Sequence, residues 1–175
     1  ENLSLHHISF ITGTTAGKHW IVPGTYVSEN FDISYELGTL TIKRAELTIN
    51  ADEKEKTYGQ PDPSLSYTSS GLLGSDQLTG NLNREEGEDA GTYKILQGTV
   101  NAGNNYSIFY NRANLVIHPA PLTISALAED KVYDGLLDAE VTLSDDRLVG
   151  DELSLSNTSA LFDSKHVGDN KTVNV

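Results

Sequence analysis

Acidic residues in turn-like segments are the first side chains of this sequence that could do chemistry. Carboxylate oxygens are preferred ligands of Ca²⁺, and a bound Ca²⁺ ion would stiffen a chain of linked modules. No segment, however, follows the spacing of a calcium-binding loop. We therefore expect no cofactor, and Ca²⁺ is the alternative that these acidic side chains leave open. They are Asp62, Asp76, Glu85, Glu86, Glu88, Asp89, Asp145, Asp146, Asp151 and Glu152.

The five histidines do not form a metal-binding pattern. Only His6 and His7 are adjacent, and on a β-strand neighbouring side chains point to opposite faces. A Zn²⁺ ion needs converging nitrogen or sulfur ligands, and the chain contains no cysteine. We therefore predict no metal site at the histidines. The other three are His19, His118 and His166.

No pattern typical of a catalytic site occurs. The chain lacks a nucleophile elbow, a phosphate-binding glycine loop and a Ser/His/Asp set with a family spacing. Paired carboxylates could serve a glycosidase, but a repeat unit of the size derived below leaves little room for the cleft. We predict that the protein is not an enzyme.

Two similar turn motifs place a tyrosine beside a glycine. One contains Tyr58 and Gly59, and the other contains Tyr133, Asp134 and Gly135. Either tyrosine could present its ring to a ligand. A tyrosine at a strand end is more often packed, with its hydroxyl bonded to the backbone. We therefore interpret both motifs as structural.

The two motifs belong to a longer internal repeat. When residues 30–58 are aligned without gaps against residues 105–133, 12 of 29 positions are identical. Most of these are apolar positions of alternating strands, and a fixed period of this kind indicates an array of small units. The chain contains no Met, and we expect it to be part of a longer protein. The period predicts a carboxy-terminal part of a module at 1–44, a complete module at 45–118, and a module at 119–175 that is incomplete at its carboxy-terminal end.

The net charge of −13 restricts the class of partner. An acidic surface repels phosphate backbones and anionic lipid headgroups, so we expect neither nucleic acid nor membrane insertion. No apolar stretch is long enough to span a bilayer as a helix. The same charge would keep neighbouring modules of an extracellular array apart.

Short alternating segments predict the elements that carry the motifs. Apolar and polar residues alternate within 31–42 and 106–117, and turn residues recur at intervals of about ten residues. The pattern predicts an all-β fold of small sandwich-like or β-grasp-like modules arranged end to end. It also predicts a hairpin across residues 31–42. Only residues 72–78 could form a short helix, with Ser75 or Asp76 as its cap.

Very short junctions connect the predicted modules. Only three or four residues separate the last strand of one module from the first strand of the next. Such a connection requires the two ends of a module to lie at nearly opposite poles, which predicts a rod. Proline fixes φ and donates no backbone hydrogen bond, so the second junction is predicted to be the stiffer one. The junction residues are Lys43, Arg44 and Ala45 in the first, and His118, Pro119, Ala120 and Pro121 in the second.

Short motifs along residues 45–118 follow one another in a specific order. They are Leu47-Thr48-Ile49, Lys56-Thr57-Tyr58-Gly59-Gln60, Leu65-Ser66-Tyr67, Gly91-Thr92-Tyr93 and Leu115-Val116-Ile117. In order and spacing they resemble the bacterial MBG repeat of the YGX type. The next unit, with Lys131-Val132-Tyr133-Asp134-Gly135 and Asp151-Glu152-Leu153, is similar to the related YDG repeat. The resemblance implies tandem modules of a large secreted or surface-anchored bacterial adhesin of the filamentous-haemagglutinin kind, and it supplies no ligand.

Three functions remain open. The favoured one is a non-catalytic extracellular stalk or spacer at the bacterial cell surface, whose partners are neighbouring modules of the same chain. The second is a module that binds host or matrix glycans, or mucins, weakly and gains avidity from its copy number. The third is head-to-tail self-association into a filament, in which strands within 1–44 of one copy complete the module that begins at Pro119 of another.

Overall fold

A computed structural model describes residues 10–24 and 28–175. Within these ranges the chain forms fourteen β-strands and no helix, so the prediction of an all-β fold is confirmed. None of the described residues belongs to a helix that could cross a membrane. The adjacent histidines His6 and His7 lie outside the described residues. The chain divides into two compact units, Glu1–His118 and Pro119–Val175.

The first unit begins with a small antiparallel sheet. Its strand order is β1-β2-β3, and β2 pairs with β3 from Gly17 opposite Ile42 to Ile21 opposite Gly38. His19 of β2 is buried, with Nε2 2.6 Å from the carbonyl oxygen of Thr15. The strands are β1 (Phe10–Ile11), β2 (Gly17–Val22) and β3 (Gly38–Ile42).

The rest of the first unit is a seven-stranded module with two sheets. One sheet has the order β6-β4-β9, and the other has the order β5-β10-β8-β7. The β4–β9 and β5–β10 pairs are parallel, whereas the remaining pairs are antiparallel. A purely antiparallel sandwich would contain no such parallel pairs. The strands are β4 (Ala45–Ala51), β5 (Lys54–Thr57), β6 (Tyr67–Ser70), β7 (Asn83–Arg84), β8 (Gly91–Leu96), β9 (Tyr106–Asn111) and β10 (Ala113–His118).

The two parallel pairs form one ladder that passes from the first sheet into the second. Ala45 lies opposite Tyr106 in the β4–β9 pair, and Thr57 lies opposite His118 in the β5–β10 pair. The offset between partners is 61 residues in both pairs. The chain therefore enters the module at one end of this ladder and leaves it at the other.

Alternating positions of the ladder strands form two adjoining apolar cores. Because successive side chains of a strand point to opposite faces, Leu47 and Ile49 point the same way, and so do Leu115 and Ile117. All four are at most 2% exposed. The first core contains Leu47, Ile49, Val100 and Tyr106, and the second contains Ile95, Ala113, Leu115 and Ile117.

The hairpin predicted across residues 31–42 is wrong. Residues 31–37 form no strand, and β3 pairs with β2 instead. In the repeat, residues 31–36 correspond to β9, which is a strand because β4 lies beside it. Within the described part of the chain no strand lies beside residues 31–37. Without that partner, the alternating pattern has no ladder to complete.

Residues 72–78, the segment that could form a short helix, form a turn instead. Gly74 has a φ of +58°, and the amide of Asp76 donates to the carbonyl of Leu73 at 3.1 Å, which closes a turn. The hydroxyl of Tyr106 accepts a hydrogen bond from the Leu73 amide at 3.0 Å and donates one to Asp76 Oδ2 at 2.6 Å. Asp76 therefore anchors the turn to a core tyrosine and caps no helix.

The second unit contains two small antiparallel pairs, β11–β12 and β13–β14. In the alignment of the internal repeat, the pair β11–β12 corresponds to the pair β4–β6. Ile124 is 56% exposed and Leu122 is 45% exposed, although their counterparts Ile49 and Leu47 are fully buried. In the described part of this unit no strand flanks β11 as β9 flanks β4. The strands are β11 (Ile124–Ala128), β12 (Val141–Asp145), β13 (Leu161–Phe162) and β14 (Val173–Asn174).

Candidate functional site

The lysine of the first tyrosine-glycine motif is the centre of a four-residue ion cluster. Lys56 is the third residue of β5, and its side chain is only 4% exposed. Its Nζ lies 2.6 Å from Asp62 Oδ1 and 2.5 Å from Glu88 Oε2. Arg84 closes the cluster, since its Nε lies 2.7 Å from Asp62 Oδ2 and its Nη2 contacts Glu88. The two cations and two carboxylates thus neutralise one another. They also connect β5 to the loop between β5 and β6, which carries Asp62, and to the loop between β7 and β8, which carries Glu88.

The cluster favours the charged form of each member, so it raises the pKa of the two cations and lowers the pKa of the two carboxyl groups. The hydrogen bond from Arg84, followed by the one from Lys56, lowers the pKa of Asp62 below its ordinary 3.8. The hydrogen bond from Lys56 contributes most to lowering the pKa of Glu88 below 4.5. In turn, the hydrogen bond to Asp62 contributes most to raising the pKa of Lys56 above 10.5. Each shift follows from hydrogen bonding to the charged form, which outweighs the opposing effect of desolvation.

These shifts predict that acidification destabilises the first unit. A carboxyl group whose pKa is lower in the folded state stabilises it at pH values above the unfolded-state pKa, which is 3.8 for Asp62 and 4.5 for Glu88. The stabilisation is lost as the pH falls through the folded-state pKa. For Lys56 the sign is reversed, so its contribution is complete below pH 10.5 and is lost as the pH rises through the raised pKa. Amide hydrogen exchange in β5 and β10, measured as a function of pH, should follow both losses.

The control for this prediction is the double variant Asp62→Asn with Glu88→Gln. It keeps the shape of the cluster but removes both titrating carboxyl groups, so protection in β5 should depend less on acidification than in the parent protein. An identical acid response in both proteins would contradict the assignment.

The lysine of the second motif forms a related, smaller set of contacts. Lys131 Nζ lies 2.9 Å from Asp134 Oδ2 and 3.6 Å from Asp138 Oδ1, and it donates to the Asp138 carbonyl at 2.8 Å. The mutual hydrogen bond raises the pKa of Lys131 and lowers the pKa of Asp134. The lysine that the two repeats share is therefore paired with carboxylates in both copies.

The first tyrosine-glycine motif ends the ladder. The amide of Tyr58 donates to the carbonyl of His118 at 2.8 Å, and its ring packs against the second core. The amide of Gln60 donates to the carbonyl of Thr57 at 3.0 Å, which closes a turn. Gly59 has a φ of +81°, as the third position of a type II turn requires.

The second tyrosine-glycine motif also forms a turn, but its tyrosine lies differently. Asp134 Oδ1 accepts a hydrogen bond from the Leu136 amide at 2.9 Å, and Gly135 has a φ of +81°. Tyr133 is 65% exposed, so the packed ring expected here is not observed. It lines a cavity of about 540 Å³ between residues 128–136 and 162–173. In the seven-stranded module, β10 lies between β5 and β8, the repeat counterparts of the two segments that flank this cavity. Tyr58 is therefore covered, whereas Tyr133 is not.

The predicted junction residues lie at the ends of the ladder strands. Lys43 and Arg44 separate β3 from β4, and Ala45 opens β4 with its amide donating to the carbonyl of Asn105 at 2.8 Å. His118 is the last residue of β10, and its Nε2 lies 3.2 Å from Glu55 Oε2. Pro119, Ala120 and Pro121 follow in the segment that leads to β11.

The carboxylates proposed for Ca²⁺ are distributed among separate contacts. Glu85 accepts a hydrogen bond from the Lys94 amide, Asp145 binds Arg147, and Asp146 accepts one from the Thr123 amide. Within residues 10–24 and 28–175, no three His, Asp or Glu side chains converge in a way that could hold a metal ion.

Two residues that organise the module, Lys56 and Asn105, do not stand out by residue type alone. Lys56 lies in a run of charged residues, which is typical of a solvated segment, but its identity with Lys131 in the repeat is a signal that it has a structural role. Asn105 lies in the turn that precedes β9. Its side-chain Oδ1 accepts the Ala16 amide at 2.8 Å, while its carbonyl accepts the Ala45 amide. Asn30 repeats at the same offset, which was again the available signal.

Comparison with known protein families agrees with these motifs. Residues 47–116 match the family model of the MBG domain (YGX type), and residues 118–175 match that of the YDG domain. No curated protein and no solved structure matches the chain. The resemblance inferred from the motifs is confirmed. The chain therefore carries an MBG domain of the YGX type followed by a YDG domain.

Proposed function

We propose that this chain is a non-catalytic extracellular segment of a bacterial surface adhesin or fibre, in which it acts as a stalk or spacer. The observation that supports this most is the parallel ladder of the MBG domain. Ala45 and His118 lie at its opposite ends. A module with its ends so placed adds its own length to the chain, whereas a module with adjacent ends would fold the chain back on itself.

The length that the module contributes can be estimated from strand geometry. A strand rises about 3.3 Å per residue, so the path from Ala45 to Thr57 spans up to about 40 Å. The short junctions add little slack to this path. The net charge of −13 favours the same role, because it opposes collapse of neighbouring modules onto one another.

Small-angle X-ray scattering of the whole chain tests the spacer role. A compact protein of 175 residues has a radius of gyration of about 16 Å. We expect a clearly larger value and the scattering profile of an elongated particle. A radius of gyration close to the compact value would contradict the proposal.

Cell labelling tests the proposed location. Antibodies raised against this chain should label intact cells of the source bacterium, and added protease should remove the label. Labelling that requires cell lysis would show that the location is not extracellular.

A second candidate function is self-association by strand addition. It is favoured by the exposure of Leu122 and Ile124 at the start of β11, since Leu47 and Ile49 are buried at the same repeat positions. In the MBG domain β9 pairs with the edge of β4 and contributes Tyr106 to the core that buries Leu47 and Ile49. Residues 31–37 carry the pattern of β9 without forming a strand. A second copy could supply this segment.

Sedimentation velocity over a range of protein concentrations tests this candidate. Self-association predicts a sedimentation coefficient that rises with protein concentration. A peptide of residues 31–42 should suppress the rise by pairing with the edge of β11 in place of a second copy. A monomer at every concentration would rule the candidate out.

A further inference from the structure

The ladder that defines the MBG domain also determines how the domain would carry tension. A pull transmitted along the chain acts on β4 through Ala45 and on β10 through His118. The path formed by β4 and β5 runs directly beside the path formed by β9 and β10, and the two residues being pulled lie at opposite ends of this ladder. The force therefore runs along the strands and acts as shear on the bonds between them.

A shear force acts on many interstrand hydrogen bonds at the same time. The interstrand hydrogen bonds of a parallel pair are evenly spaced along the strands. When the strands are pulled past each other, these bonds must stretch at the same time. When two strands are separated from one end, the bonds instead break one after another. For equal bonds, the shear geometry thus requires the greater force.

The ladder is interrupted where β4 ends and β5 begins. Further hydrogen bonds at this interruption and at both ends of the ladder extend the region that resists shear. The Ala45 amide donates to the Asn105 carbonyl at 2.8 Å at one end, and the Tyr58 amide donates to the His118 carbonyl at 2.8 Å at the other. Near the break between β4 and β5, Asn111 Nδ2 donates to Asn50 Oδ1 at 2.6 Å. The two strand paths are therefore bonded to each other along nearly their whole length.

Burial of side chains on both strands opposes sliding as well. Leu47 and Ile49 would have to leave the first core, and Leu115 and Ile117 would have to leave the second. All four are at most 2% exposed, so water cannot readily reach these parts of the ladder to replace broken hydrogen bonds. Lys56 additionally ties β5 to loops outside the ladder through Asp62 and Glu88.

We propose that the MBG domain is a shear clamp, in which the parallel ladder of β4–β5 with β9–β10 holds the chain against tension applied between Ala45 and His118. The biological use of the clamp rests on the proposed stalk function, in which a surface fibre transmits force to the cell. The mechanical property itself depends only on the topology of this domain.

Single-molecule force spectroscopy of the whole chain tests the clamp. The chain has no native cysteine, so introduced cysteines are unique attachment points. Arg44→Cys with Pro119→Cys applies the force in shear, at opposite ends of the ladder. Gln60→Cys with Pro119→Cys applies it at one end, where β5 and β10 both terminate. Forced unfolding reports the rate of crossing the unfolding barrier in each direction of pulling.

At the same loading rate, we expect the unfolding force to be at least twofold higher in the shear geometry than in the end-on geometry. Both double variants should first show the hydrogen-exchange protection of the parent protein, so that folding defects are not mistaken for mechanical weakness. Equal forces, or a weaker shear geometry, would overturn the clamp. A strong clamp in a chain that scatters as a compact particle, or that is not found at the cell surface, would sink the stalk proposal alone.

Discussion

Replacement of Ile49 by alanine is expected to lower the free energy of unfolding of the first unit by about 2–5 kcal/mol. Ile49 is fully buried in β4, where it packs within the first core with Leu47, Val100 and Tyr106. Truncation removes buried apolar surface and leaves a cavity in the core. Because β4 also pairs with β9, a loosened core weakens the parallel ladder itself. Native-state hydrogen exchange of the β4 and β9 amides measures the loss.

The repeat supplies a matched control for this prediction. Ile124 occupies the same position in the second unit and has the same preceding Leu-Thr pair, but it is 56% exposed. Ile124→Ala should therefore change the stability of the second unit by no more than about 0.5 kcal/mol at concentrations where the chain is monomeric. Similar losses at the two positions would show that Ile124 is buried in solution.

Replacement of Gly80 by alanine is expected to destabilise the first unit by about 3 kcal/mol or more, from backbone strain together with a steric clash. Gly80 has a φ of +86°, and a Cβ atom there would lie 2.2 Å from the carbonyl oxygen of Thr99. Two backbone contacts flank the glycine. Thr79 and Asn101 exchange hydrogen bonds at 2.8 and 2.9 Å, and the Thr99 amide donates to the Asn81 carbonyl at 2.9 Å. An added methyl group would separate these segments and disturb the buried Val100 between them.

Gly103 separates the two causes of that destabilisation. It has a φ of +84°, nearly that of Gly80, but a Cβ atom there would meet no heavy atom within 4 Å. Gly103→Ala should therefore show only the backbone strain, which costs roughly 1–2 kcal/mol. The free energy of unfolding of the two variants is compared by chemical denaturation, with hydrogen exchange of the strand amides as the readout. Equal losses would mean that the close approach of Thr99 carries no energetic cost.

The elements themselves could be predicted from local sequence. Alternation at Leu47 and Ile49, and at Leu115 and Ile117, identified buried strand faces, because side chains of a strand alternate with a period of two. The turn at Gly59 followed from glycine's tolerance of positive φ. The order of the motifs led to the correct families, because each motif marks a strand or turn of the module.

The partners of the strands could not be predicted in the same way. Alternation shows which face of a strand is buried but carries no information about which strand lies beside it. For this reason the alternation predicts a hairpin across residues 31–42, whereas in the structure β3 pairs with β2 and the segment before β3 forms no strand. The ion cluster was missed for a related reason, because Lys56, Asp62, Arg84 and Glu88 lie on segments that only the folded chain brings together.

The sequence by itself determined the class of fold, the repeat and the membership of two domain families, since each depends on residue types at short or fixed spacing. The tertiary structure decided which copies of the repeat become buried. Ile49 and Ile124 have closely similar neighbours in sequence, yet one is fully buried and the other is 56% exposed. One cause is β9, which pairs with β4, contributes Tyr106 to the core around Ile49 and has no counterpart beside β11 in the described structure. Burial of a strand depends on a partner that is distant in the chain, and local residue patterns do not specify that partner.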